Sequence, residues 1–90
     1  MNRDKNMLIE AIQRSDILPP KQKKTLEVVC SSEFPLSAKS IEKKLDMNKQ
    51  SINYSLKSLL KRNFLLREKD GYFVYRPNYN RIEELIRRNT

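Results

Sequence analysis

Histidine and tryptophan are absent from this 90-residue chain, and cysteine and glycine occur once each. With no histidine and only Cys30, there is no ligand set for zinc, no thiol-imidazole pair for nucleophilic catalysis and no intramolecular disulfide. Cys30 sits in the apolar run "LEVVC" and reads as a buried structural thiol, with a redox-sensing thiol as the alternative. A lone glycine cannot build a Gly-rich phosphate loop. No apolar stretch approaches a membrane span, and the N-terminal "MNRDKNMLIEAIQRS" has acids within it and no continuous apolar region of the signal-peptide kind. The expectation is a cytoplasmic protein that is not an enzyme and has no metal, cofactor or membrane partner.

Charge is what the chain has in excess. Nineteen Lys/Arg against eleven Asp/Glu give a net charge of +8, which favours a polyanionic partner, nucleic acid before membrane. Hydrophobic residues at 38% supply one modest core, so residues 1–90 read as a single domain that works from its surface. A charged fraction of 33% beside one glycine points to charged helices, with any β element small.

Hydrophobic spacing divides the chain into helix, helix, helix-turn-helix, hairpin, helix. Leu8, Ala11 and Ile12 form the stripe of a helix over about 4–14, which the "LPP" of Leu18–Pro20 closes off. Pro20 is suited to open a second helix over about 20–31, whose inner face holds Leu26, Val29 and Cys30. "SSEFPL" breaks that pattern. Ser37 caps a short helix over about 38–45 with Ile41 and Leu45 inward. Only "DMN" separates it from a helix over about 48–62, with Asn48 as cap and Met47 as an apolar plug under the turn. Apolar and aromatic residues then flank Asp70-Gly71, a strong hairpin signal, predicting strands over about 65–69 and 72–76 with Phe73 and Tyr75 in the core. Pro77 stops the second strand. Asn80, three residues before Glu83, matches a capping-box spacing for a last helix over about 80–88, striped by Ile82, Leu85 and Ile86.

A helix-turn-helix followed at once by a hairpin is the winged helix-turn-helix layout, so the fold class expected is mainly α with a small β-hairpin. "MNKQSINYSLKSLLKRNFLLREKDGYFVYRPN" resembles the recognition helix and wing of bacterial and archaeal winged-helix regulators, the ArsR-like group and more loosely the MarR-like group. Asn48, Ser51, Ile52, Asn53, Leu56, Leu59, Lys61, Arg62, Phe64, Leu65, Gly71, Phe73, Val74 and Tyr75 carry the resemblance, which covers about 37–78. Asn63 stands where these families usually have glycine, and asparagine enters the left-handed region more readily than most residues. Metal-sensing members carry cysteines or histidines on the helix before the turn or on the terminal helices, whereas this chain has Ser37, Ser40 and no histidine. The resemblance therefore implies fold, DNA binding and dimerisation through terminal helices, and not metal sensing.

With Ile52, Leu56, Leu59 and Leu60 inward, Lys49, Gln50, Ser51, Asn53, Tyr54, Lys57 and Lys61 fall on or near the open side of the fourth helix. Four basic residues and no acid lie between Lys49 and Asn63, and residues 36–63 carry +5 of the net charge. On double-stranded DNA, Gln50 and Asn53 can pair with an adenine edge, Ser51 and Tyr54 can reach a phosphate or a base, and the lysines neutralise phosphates. Arg67, Lys69 and Tyr72 flank the hairpin tip, where a wing meets backbone or minor groove. Leu8, Ala11, Ile12, Ile82, Leu85 and Ile86 are the candidates for a homodimer interface, although the same stripes can close over their own core. The function expected is a sequence-specific DNA-binding transcriptional regulator. The alternative is a winged-helix module that docks another protein in a replication or mobile-element assembly. RNA binding ranks third, because few aromatics look free to stack on bases.

Overall fold

The computed structural model describes residues 4–88. Five helices, α1 (Lys5–Arg14), α2 (Pro20–Ser31), α3 (Ala38–Leu45), α4 (Lys49–Lys61) and α5 (Tyr79–Arg88), are combined with three short strands, β1 (Leu36–Ser37), β2 (Leu65–Asp70) and β3 (Tyr72–Pro77). The strands make one antiparallel sheet in the order β1-β3-β2. This is the mainly helical, winged helix-turn-helix arrangement that the hydrophobic pattern predicts.

Each helix starts for a local reason. Asp4, Ser37 and Asn48 accept from backbone N–H groups of Asn6, Ser40 and Ser51, capping α1, α3 and α4. Such a contact satisfies a donor that has no partner within the helix. Pro20 opens α2, where its missing N–H costs nothing. The first helix ends earlier than the prolines require, because Ser15 leaves helical geometry and its hydroxyl accepts from the Ile17 N–H.

The end of α4 is closed by a two-bond cap. Asn63 takes a φ of 66°, its N–H donates to the Leu60 carbonyl, and the Phe64 N–H reaches back to the Leu59 carbonyl. Paired bonds of this kind around one left-handed residue form a Schellman motif, which turns the chain out of the helix and into β2. Buried Phe64 and Leu59 accompany it. Asp46, the turn residue after α3, is also left-handed at φ 52°.

The hairpin is tighter than a two-residue Asp-Gly turn. Asp70 pairs with Tyr72 across the ladder, which leaves Gly71 alone at the tip with φ +75°, a backbone state that costs glycine little. β1 is an addition to the expected architecture. Leu36 and Ser37 pair with Tyr75 and Val74, making β3 the central strand, and two residues are too few to show a period in sequence.

Helix α2 is the hub, packing on α1, α3, α4 and β3. Leu26, Val29 and Cys30 of α2 join Ile41, Ile52, Leu56, Leu59, Phe64 and Leu65 in one core, with Met47 packed against it under the turn. Helices α1 and α5 pack on each other, so the stripes offered as a dimer interface lie within one chain. Leu8, Ala11, Ile12, Ile82 and Leu85 are at most 5% exposed within the single chain, and Ile86 is half-buried. Their apolar stripes are used to close the protomer's own core. The last helix also begins earlier than expected. Tyr79 is its first residue and the Asn78 carbonyl accepts from the Ile82 N–H, so Asn80 lies inside the first turn instead of capping it. Asn78 is fixed there because its N–H and side-chain amide donate to the carbonyls of Phe64 and Asn63.

Candidate nucleic-acid interface

Helix α4 has two unlike faces. Ile52, Leu56 and Leu59 are at most 2% exposed, while Lys49, Gln50, Asn53, Tyr54, Lys57 and Lys61 are exposed. The apolar face is anchored on α2, α3 and β2, so the polar face is held by a rigid element, which favours precise recognition. Its sequence KQSINYSLKSLLK contains no acid, and no lysine on it has an ion-pair partner within the helix. Ser51 is half-buried and its hydroxyl accepts from Lys21 Nζ of α2 at 3.4 Å.

The wing residues divide between two faces. Side chains alternate along a strand, and the register pairs Lys69 with Phe73 and Arg67 with Tyr75. Arg67, Lys69, Phe73 and Tyr75 therefore share one face, and Tyr72 is on the other. The Arg67 guanidinium lies 4.2 Å from the Phe73 ring centroid and Lys69 Nζ lies 5.8 Å from it, a pairing that holds cations at the ring. Phe73 is 45% exposed, contrary to its expected place in the core. Burial along β3 reaches Pro77 and Tyr75 and stops there, which leaves Phe73 outside the core. On the opposite face Glu68 pairs with Arg76, which reduces the positive charge there.

Some functional candidates had no signal in the sequence. Lys39 and Lys43 of α3 face the wing across a groove of about 550 Å³ that Tyr72 and Phe73 also line. Lys21 lies beside Ser51 although thirty residues separate them. The aromatic residues are also more open than composition suggested: Phe34, Tyr54, Tyr72 and Phe73 are all at least 45% exposed. Arg62 and Arg81 are held in structural contacts. Arg81 donates to the Arg62 carbonyl, and both guanidinium groups lie over the Phe64 ring.

Cys30 is 0% exposed, and burial pushes its thiol up to about 12, assisted by Glu27 and opposed by Lys5. A thiol held protonated at neutral pH is a poor nucleophile and a poor metal ligand, which fits the structural reading of this residue. Among the described residues no cluster of His, Cys, Asp and Glu could hold a metal ion, and no helix is long and apolar enough to cross a membrane.

No protein-family model matches the chain, and no curated protein matches it. Solved structures do resemble it. A protein of unknown function from Listeria innocua superposes with a TM-score of 0.65 at 19% identity, over 92% of this chain and 66% of that one, so the chain spans just under two thirds of its length. A protein of the thermoacidophilic archaeon Sulfolobus tokodaii superposes with a TM-score of 0.61 at 16% identity, over 93% of this chain and 88% of that one. At these identities the likeness is one of fold alone.

Proposed function

We propose that the protein is a sequence-specific, double-stranded DNA-binding transcriptional regulator of ArsR-like type, with α4 in the major groove and the wing on backbone or minor groove. One observation carries the reading: the exposed face of α4 bears Lys49, Gln50, Asn53, Tyr54, Lys57 and Lys61 without an acid, on a helix whose other face is buried. Gln50 and Asn53 offer paired donors and acceptors for base edges, and the lysines offer charge for phosphates. Arg67 and Lys69, gathered at Phe73, extend the basic surface along one side of the wing. Binding as a homodimer belongs to the proposal, with half-sites about one turn, ~34 Å, apart. Such a dimer would use surfaces other than the buried stripes of α1 and α5.

Selection of bound duplexes from a random pool, together with the mass of the complex in solution, tests this. The expected result is an enriched motif that Gln50→Ala or Asn53→Ala relaxes at one position while leaving the rest intact, and a palindromic motif with two chains per duplex if the dimer is correct. Enrichment of no motif would favour the alternative, a winged-helix module that docks another protein.

A further inference from the structure

The groove of about 550 Å³ between α3 and the wing has a floor and a rim of different chemistry. Its floor is aromatic, made by Phe73 and Tyr75 on one face of β3 with Tyr72 beside them. Phe73 and Tyr72 are 45% and 65% exposed, so apolar ring surface is left open to solvent there. Its rim is cationic. Lys39 and Lys43 are exposed and stand one helical turn apart on α3, and Arg67 and Lys69 gather at Phe73 from β2. Among the described residues none of these four cations has a carboxylate partner, and no acid lines the groove.

The strand edge at this groove is open as well. β1 pairs only with Tyr75 and Val74, and the chain then turns into α3 at Ala38, so no strand lies beside Phe73 and Tyr72 on that side. Such an edge can accept an added extended segment, whose alternate side chains enter the pockets next to it. Charge decides among the occupants. A second copy of this chain, at +8, repels itself, and its only adjacent acids, Glu83 and Glu84, lie on α5, where Glu84 is paired with Arg81. A duplex can lay phosphates on the rim, but its bases are stacked inside it and leave an aromatic floor unfilled. An acidic peptide supplies both parts, carboxylates for the rim and an apolar side chain for the floor.

We propose that the groove between α3 and the wing docks an extended acidic segment of a partner protein, with an apolar or aromatic side chain on Phe73 and Tyr75 and flanking carboxylates at Lys39, Lys43 and Lys69. The site does not depend on α4 reading DNA. Because Lys69 and Tyr72 also belong to the wing's proposed DNA contact, a docked segment competes with a duplex for the wing.

Selection of displayed random peptides on the full chain, followed by titration of the best binder into the isotopically labelled protein, tests this. The expected result is a motif in which an apolar or aromatic residue is flanked by acids, with saturable amide shifts at Lys39, Lys43, Tyr72 and Phe73. Lys39→Gln with Lys43→Gln weakens that peptide about tenfold, the combined effect of two exposed ion pairs, and leaves the thermal midpoint in place because both side chains are exposed. Replacing the motif's apolar residue by serine weakens it at least as much, which a purely electrostatic contact would not show. Acidic peptides indifferent to that replacement, or peptides that shift Lys49 to Lys57 and not the groove, overturn the inference. Enrichment of no peptide, with a selected duplex shifting the groove residues, overturns it as well and supports the DNA reading. A peptide that binds the groove of a protein showing no duplex affinity at low salt does the reverse.

Discussion

Asn63 and Cys30 show how single residues set limits on this fold. At φ 66° Asn63 holds the cap that turns α4 into β2, and only residues tolerant of the left-handed region can sit there without strain. Asn63→Gly is expected to leave stability within a few tenths of a kcal/mol or raise it slightly, and Asn63→Val to cost about 1–2 kcal/mol, as read by chemical denaturation. Cys30 makes a pH-dependent contribution. Its folded thiol holds a proton to about 12 against an ordinary 9.0, so above pH 9 the unfolded chain releases that proton first. The stability due to this difference is complete below 9 and is lost as pH rises from there. Its slope approaches about 1.4 kcal/mol per pH unit at most. Cys30→Ala should remove this component, visible as a shallower fall in unfolding free energy between pH 9 and 11, roughly the window over which the two states differ in proton content.

The five helices were legible in the sequence because each element carries its own punctuation: Pro20 at a helix start, Ser37 and Asn48 as caps, a 3.6-residue apolar period, and Asp70-Gly71 at the hairpin. What sequence did not reveal depends on partners distant along the chain. Two residues of β1 have meaning only beside β3, and Phe73 alternates with Tyr75 as a core residue does, although the wing has left the core by that point. The same limit applies to the candidate interface. The open face of α4 follows from periodicity, whereas Lys21 beside Ser51, and Lys39 and Lys43 opposite the wing, require the fold. The terminal helices were the ambiguous case, since an apolar stripe alone does not distinguish an interface from a core. With Ile82 at 0% exposed, Ile82→Ala is expected to destabilise the protomer by about 2–5 kcal/mol. The midpoint shift should not depend on protein concentration, whereas loss of an interface residue would make it do so.

At the scale of the whole molecule, a net charge of +8 is distributed unevenly over a small body with principal extents of 37 × 28 × 21 Å. The helix-turn-helix holds most of that excess, and the packing of α4 turns its acid-free face outward. Association with a duplex should then be governed by displaced counterions, with log affinity falling linearly against log salt by about 0.9 for each phosphate neutralised. Measuring affinity for a selected duplex across a salt series, for the natural protein and for Lys49→Gln with Lys57→Gln, is the most direct test. A steep negative slope is expected for the natural protein and a slope shallower by roughly 2 for the double variant, about one unit for each phosphate left without its lysine, with its thermal midpoint unchanged. Absence of binding even at low salt, or the same slope in both proteins, would contradict DNA binding through the exposed face of α4.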